Sequence, residues 1–419
     1  MFKEILKTAT WKQSQITVAG TILNGILGAL FYIFMARFLG PVNFGLLTVC
    51  VIIFTLIADI TDLGTNTGLI RFVSSHLISD KEKAFKFLKL GLEIKLAVWL
   101  LILCLGIFLA PVIASQVLNK PILEMPLRLV FFGVGGALLF TFATSALQSF
   151  QKYFLWSVIN ITSNALRLVL IFLLFYTQQL NLTSGLISYI LLPFFGFFLA
   201  LLFFPTRQIF LVKNEFSVAK QFFKFNTYVA IFTLIAAISS RLDTFLTTRL
   251  LSAKDIGIYG AANQLTQVIP QIVAALGVVA APKFSAFKNN RDMLIYFRKF
   301  QLMVLGLSAL ILLTIPIAFY AIPILFGLDY SQSVLPFVFL LLGMLVFLIS
   351  VPLHISIIFY FGRSDIFVWV SIVHLLIIGF LGYFMISNFG VIGTAITVLV
   401  GMISNFILPL FWFIKRLKK

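Results

Sequence analysis

Stretches of about 20 apolar residues with almost no charge recur along this chain, and no other feature limits its fold as strongly. Runs such as LILLTIPIAF (310–319) and VFLLLGMLVFLI (338–349) are apolar on every helical face, so they need hydrocarbon all round rather than a core on one side. Measured against the roughly 20 residues that cross a bilayer, the sequence predicts twelve spans, at 14–38, 42–70, 88–114, 126–149, 153–176, 184–205, 225–250, 256–282, 298–325, 332–359, 365–387 and 391–414. The second and eighth are the most polar. The composition agrees, with 61% hydrophobic and 11% charged residues, where soluble domains carry about 25% charge. The longest connection is 206–224, so neither face has room for a soluble catalytic domain.

A formal charge of +18 on a soluble chain would point to nucleic acid. Here the basic residues lie between apolar segments, where they hold loops on one side and against anionic lipid, and nucleic acid is not the expected partner. With the N-terminus inside, 23 of the 31 basic residues are cytoplasmic. Only Arg37, Lys120, Arg128, Arg249 and Lys254 fall outside. That asymmetry predicts a cytoplasmic-membrane protein with both termini cytoplasmic. The opening MFKEILKTATWKQ lacks the pattern of a cleaved signal, and Phe2, Ile5 and Leu6 with Lys3 and Lys7 fit a short interfacial helix. Cys50 and Cys104 are far apart in apolar stretches and imply no disulfide framework or metal site.

The two halves align at an offset of 212 residues. RFLGPVNFGLL (37–47) falls on RLLSAKDIGIY (249–259), pairing Arg37 with Arg249 and Gly45 with Gly257, and the same register pairs Arg71 with Lys283, Lys86 with Arg298 and Pro111 with Pro323. Six spans precede the repeat, so the second half enters from the same side as the first. The expected fold is all-α and polytopic: two six-helix lobes related by a parallel pseudo-twofold repeat, with a central cavity. The lobes are expected at 1–205 and 225–419, with 206–224 as a cytoplasmic linker.

Polar residues inside the spans are the candidate site, because a charge at mid-membrane costs about 2.5–3.5 kcal/mol unless it meets water or a partner. Thr55, Asp59, Asp62 and Asn66 share one face of the second span, and Asn263, Gln264, Gln267 and Gln271 stripe the eighth. Asn160, Asn164 and Arg167 stripe the fifth, and Thr17, Thr21, Asn24 and Gly28 the first. Four such stripes suit the walls of a hydrated cavity, and amides in these numbers suit a polyhydroxylated ligand. In SSRLDTFL of the seventh span, Arg241 and Asp243 lie well inside the membrane. Arg241 and Arg167 are candidates for holding a phosphate, since guanidinium presents a fork of donors to phosphate oxygens. Asp59, Asp62 and Asp243 are candidates for ion coupling or gating.

The structural readings of the same residues are packing amides and an ion pair of Arg241 with Asp59 or Asp62. Lys95 is expected to snorkel, and Glu93 with Lys89 to pair along one helix. His354 and His374 have no second ligand in view. Prolines 270, 316, 323 and 352 and glycines 20, 25 and 28 permit bends or close packing. No phosphate loop, His-Glu-x-x-His, paired-Cys or Gly-x-Ser-x-Gly motif is present, so the chain reads as a transporter rather than an enzyme, with no cofactor beyond a proton or sodium gradient.

The segments ARFLGPVNFGLLTV (36–49), ADITDLGTNTGLIRFVS (58–74) and SSRLDTFLTTRLLSAKDIGIYGAANQL (239–265) resemble the polysaccharide transporter family, the bacterial lipid-linked oligosaccharide flippases of the multidrug/oligosaccharidyl-lipid/polysaccharide exporter superfamily. The resemblance covers nearly the whole chain. It implies alternating-access transfer of an undecaprenyl-diphosphate-linked O-antigen, capsule or exopolysaccharide unit from the inner to the outer leaflet of the bacterial inner membrane. Basic cavity residues would bind the diphosphate, with Arg241 and Arg167 the nearest candidates. Membrane lipids, a polysaccharide polymerase and glycosyltransferases are the implied partners. The alternatives are an ion-coupled multidrug exporter, with Asp59, Asp62 and Asp243 as its carboxylates, and a membrane-embedded polymerase, which would need an outer loop that this chain lacks.

Overall fold

The computed structural model describes residues 9–239 and 241–417, and every element among them is a helix. The interfacial helix expected around Phe2–Lys7 lies outside the described residues. The first half comprises α1 (Ala9–Thr61), α2 (Thr65–His76), α3 (Lys81–Val112), α4 (Glu124–Ser149), α5 (Tyr153–Tyr176) and α6 (Leu182–Leu201). A short α7 (Thr206–Leu211) leads to α8 (Phe216–Ser239), α9 (Leu242–Leu250), α10 (Ala253–Thr266), α11 (Val268–Ala286) and α12 (Asn290–Leu312). The chain then runs through α13 (Thr314–Phe326), α14 (Val334–Ile355), α15 (Asp365–Leu376) and α16 (Gly382–Leu417).

Two of these helices are pairs of spans fused end to end. Gly40 (φ 70°, ψ 169°) breaks α1 and Gly390 (φ 57°, ψ −134°) breaks α16, each in a conformation that a side chain disfavours. Among the described residues nine continuous helical runs are long and apolar enough to cross a membrane. Dividing α1 and α16 at their glycines, and adding the interrupted α8–α9 segment, gives the twelve spans read from the sequence. Several helices begin earlier than the apolar ruler predicts, because capping extends them into polar sequence. Asp80 accepts from the Lys83 amide at 3.0 Å to start α3, and Asn289 accepts from the Asp292 amide at 2.8 Å to start α12.

The chain divides into two compact units. Unit 1 takes the chain through Leu39 together with Leu46–Arg241, and unit 2 takes Gly40–Gly45 and Leu242–Lys419. Contacts therefore place α8 with the first unit, although it follows the linker in sequence. Its Phe222 packs 6.0 Å from Phe87, itself stacked on Phe72 at 4.8 Å, in a core that also buries Leu69, Leu88 and Phe142. The connection before α8 is fastened to the same unit. Lys89 Nζ donates to the Val212 carbonyl at 2.8 Å, Asn214 donates to both Glu93 oxygens at 2.9 and 3.2 Å, and Lys86 pairs with Glu215 at 3.1 Å. Glu93 and Lys89 thus reach across to the connection instead of pairing along α3. The Ser217 hydroxyl, and then Lys86, hold the Glu215 carboxyl below its ordinary range.

Unit 2 contains a reciprocal contact at the repeat register. A Cβ on Gly45 would lie 1.9 Å from the Ala253 carbonyl oxygen, and one on Gly257 would lie 2.0 Å from the Pro41 carbonyl oxygen. Pro41 and Ala253 are repeat mates, as are Gly45 and Gly257, so the two chain segments cross with each glycine against the other's helix start. Such approach of two backbones is open only to residues without a side chain.

Large apolar side chains are exposed along the helices, among them Phe108 at 75%, Trp369 at 70% and Phe380 at 78%. In water such a surface would aggregate. In a bilayer it is the lipid-facing side that a polytopic protein requires.

Candidate functional site

In unit 1 the polar stripes of the first and fifth spans meet. Asn164 on α5 donates through Nδ2 to Asn24 Oδ1 on α1, and its own Oδ1 accepts from Arg167 Nη1 at 3.0 Å. The i, i+3 spacing on α5 is what lets one amide bond both a neighbouring helix and the guanidinium. Arg167 then lies over the Tyr189 ring of α6, with its central carbon 4.4 Å from the centroid, and 5.3 Å from that of Phe31. The Tyr32 hydroxyl donates to the Tyr189 hydroxyl at 3.3 Å, closing a chain of polar contacts across α1, α5 and α6. The Arg167 Nε is buried without a hydrogen-bond partner among the described residues.

Arg241, between α8 and α9, acts electrostatically on both Asp59 and Tyr32, and Arg167 also acts on Tyr32. Tyr32 therefore feels both of the guanidinium groups singled out from the sequence. Asp59 is exposed and, among the described residues, has no hydrogen-bond donor bound to it. The cluster of Asn24, Tyr32, Asp59, Asn164, Arg167, Tyr189 and Arg241 thus combines two cations, one accessible carboxylate, two amides and two phenols. Such a set can bind an anion and hydroxyl groups side by side. Asn160 stands one turn before Asn164 and donates to its own helix at the Trp156 carbonyl, 2.8 Å away.

Asp62 goes elsewhere. Its Oδ1 accepts from Lys95 Nζ at 2.7 Å and from Thr65 Oγ1 at 3.1 Å, and Lys95 also donates to Thr141 Oγ1 at 3.2 Å. Lys95 is only 1% exposed. The expected snorkelling is thus corrected: the ammonium stays inside unit 1 because a carboxylate waits for it at the break between α1 and α2. That break follows Asp62 directly, with Leu63 at φ 52° and Gly64 at φ 70°, while the Asp62 amide still donates to the Ala58 carbonyl at 3.0 Å. Sequence reasoning missed the pair, although a charge this far along an apolar helix needs a countercharge.

The second-half candidates lie within unit 2 and are bonded locally. Asp243 accepts from the buried Tyr259 hydroxyl, its carbonyl accepts from Thr247 Oγ1 at 2.7 Å, and Thr247 meets Thr394 at 3.1 Å. Gln267 Nε2 donates to Asn263 Oδ1 at 3.2 Å along the same helical face, Gln264 is half-buried and Gln271 is exposed. His354 Nε2 is 2.9 Å from the Asn405 carbonyl, and His374 Nδ1 is buried without a partner among the described residues. No group of three or more His, Cys, Asp or Glu side chains among the described residues is arranged to hold a metal ion.

Comparison with known proteins gives the same picture at the level of fold and family. A relative in Shigella flexneri, the "Putative O-antigen transporter", is 22% identical over 414 residues, covering 94% of both chains. Among solved structures, an inward-facing multidrug resistance MATE family transporter of the MOP superfamily matches with a TM-score of 0.77 at 12% identity, covering 94% of each chain. The lipid II flippase MurJ in its inward closed conformation matches with a TM-score of 0.75 at 15% identity, covering 95% of this chain and 87% of that one. These likenesses show a shared fold. The polysaccharide biosynthesis protein family model matches residues 10–288, two thirds of the sequence and the whole of the cluster around Arg167 and Arg241. With its twelve spans and internal repeat, the chain is a multi-pass membrane protein that belongs to the polysaccharide biosynthesis protein family.

Proposed function

We propose that this protein transfers a diphosphate-linked lipid oligosaccharide, an O-antigen, capsule or exopolysaccharide repeat unit, from the inner to the outer leaflet of the bacterial cytoplasmic membrane by alternating access. The observation that carries this reading is the unit 1 cluster, where Arg167 bonds Asn164, Asn164 bonds Asn24, and Arg167 and Arg241 both act electrostatically on Tyr32. Diphosphate needs the cations, and sugar hydroxyls need the amides and phenols. Gln264, Gln267 and Gln271, with Asn160, are proposed to contact the glycan. The family match and the Shigella relative support the substrate class. The excess of basic residues on one set of loops supports cytoplasmic termini. Glycosyltransferases that build the unit and a polymerase that consumes it are the proposed partners.

The experiment is a gene deletion in the host, with lipid-linked oligosaccharide measured in the inner leaflet alongside surface polysaccharide. Build-up inside with loss outside, reversed by the wild-type gene and not by Arg241→Ala, supports the reading. Unchanged glycan in the deletion strain rules it out.

A second reading has its own observation. Asp59 is an exposed carboxylate on which the Arg241 guanidinium acts electrostatically, and the multidrug transporter shares the fold. An ion-coupled exporter of cationic compounds would use that carboxylate, and new sensitivity to cationic drugs in the deletion strain would mark it.

A further inference from the structure

The end of unit 2 that carries the C-terminus closes on a basic pocket far along the chain from the residues of the transport cluster. α14 continues helically through Ser356–Tyr360, and Gly362, at φ 67°, then ends the run in the left-handed conformation usual one residue past a helix. The Arg363 amide returns to the Ile357 carbonyl at 3.1 Å. This turn brings Arg363 to the last turns of α16, its guanidinium carbon 5.8 Å from the centroid of the Trp412 ring. Phe361 meets the same ring edge-on at 5.5 Å and Phe413 at 5.9 Å. Lys415 and Arg416 follow Trp412 by one helical turn, and Phe361, Arg363, Trp412, Lys415 and Arg416 line a cavity of about 310 Å³.

Among the described residues the charge in this pocket is not balanced. Asp365 accepts from Arg363 Nε at 2.8 Å and Nη2 at 2.9 Å, which fixes the guanidinium plane and leaves its other N–H groups available. Lys415 and Arg416 have no acidic partner among the described residues. Three cations against one carboxylate leave two positive charges on an aromatic floor. Trp beside Lys and Arg is the composition of the headgroup layer, where an aromatic ring packs on the upper methylenes of a lipid and cations meet its phosphates.

We propose that this pocket binds the headgroup of a lipid bearing two phosphate charges, with the phosphates on Lys415, Arg416 and the free edge of Arg363, and the first carbons of the lipid against Phe361 and Trp412. Assignment to the cytoplasmic leaflet rests on the orientation proposed above. The binding itself does not depend on transport, so the two readings fail separately.

The test uses purified full-length protein, stripped of lipid in detergent and titrated with cardiolipin, undecaprenyl diphosphate, phosphatidylethanolamine and inorganic pyrophosphate, with bound molecules counted by native mass spectrometry. Besides undecaprenyl diphosphate held at the transport cluster, one tightly held two-phosphate lipid is expected on the wild type, with no matching site for phosphatidylethanolamine. Lys415→Gln with Arg416→Gln should weaken it by about 30-fold, each lost charge contributing on the order of fivefold. Lys415→Arg with Arg416→Lys should retain it. With the transport cluster neutralised by Arg167→Ala and Arg241→Ala, preference for cardiolipin identifies a phospholipid as the source, preference for undecaprenyl diphosphate an isoprenoid, and displacement by pyrophosphate confirms that phosphate charge is what is held. Equal binding by the wild type and the doubly neutral variant overturns the proposal. If that variant fails to elute as a folded protein, Arg363→Gln takes its place, and unchanged binding there overturns it equally.

Discussion

Lys95 Nζ sits 2.7 Å from Asp62 Oδ1, with the lysine buried and the carboxylate held at a break between two helices. The pair fixes where the second span bends. It also gives a buried cationic partner to one of the carboxylates that sequence spacing places on a single face with Asp59.

Removing one partner leaves the other charged in a low-dielectric interior. Lys95→Met should therefore destabilise the protein by about 3–5 kcal/mol. Lys95→Met combined with Asp62→Asn should recover most of that loss. Thermal unfolding of the purified variants checks both, and additive losses in the double variant would show that the two residues do not act as a pair.

Arg241→Ala and Arg167→Ala should each lower the rate of lipid-linked oligosaccharide transfer by roughly 10- to 150-fold, the equivalent of one charge-assisted hydrogen bond, with normal membrane abundance. Transfer in proteoliposomes at matched protein density is the measurement. Wild-type rates in Arg241→Ala would remove it from the site.

Asp59→Asn should change the dependence of transport on the proton or sodium gradient, because Asp59 is exposed and faces Arg241 without a bound donor. Asp62→Asn should instead lower stability through Lys95. Transport rates at imposed gradients, set beside melting temperatures, separate a coupling carboxylate from a structural one.

Gly45→Ala and Gly257→Ala place a methyl group against backbone oxygen and should each cost about 1–3 kcal/mol through forced displacement. Gly28→Ala, with nothing within 4 Å of the new carbon, should gain about 0.5–1 kcal/mol from helix propensity alone. Melting temperatures in one detergent give the comparison.

Glu215 has its carboxyl held below the ordinary value of 4.5 by Ser217 and Lys86. A depressed folded value means that its contribution is present above about pH 4.5 and is lost as pH falls through the lower folded value. Proteolysis of the 212–215 connection should rise over that acid range in the wild type. In Glu215→Gln the acid-dependent step should vanish, with cleavage already raised at neutral pH.

The spans, their number and the parallel repeat were legible because hydrophobic run length and charged landmarks are local or periodic signals. The contact of α1 with α5 through Asn24 and Asn164 was legible only as two stripes, since spacing names a helical face and not what that face meets. Lys95 with Asp62 was illegible for a related reason: the partners are 33 residues apart on different helices. The bend at Leu63 and Gly64, directly after Asp62, has no marker except the glycine. The attachment of α8 to unit 1 was hidden because a basic connection of that length looks like a boundary, whereas Lys86, Lys89 and Glu93 bind it down.

The crossing of residues 41–45 with 253–257 is what a dimer of half-length chains would present at its twofold axis. In such an ancestor a single codon would specify both glycines, and any substitution would strike the axis twice. Fusion into one gene lets the two positions vary independently, and several of their neighbours differ: Pro41 opposes Ala253, and Gly40 opposes Ser252. Where backbone touches backbone the halves still spell the same residue, as they also do at Arg37 with Arg249 and Leu39 with Leu251. Geometry at an axis can thus preserve the memory of a duplication after most of the letters have diverged.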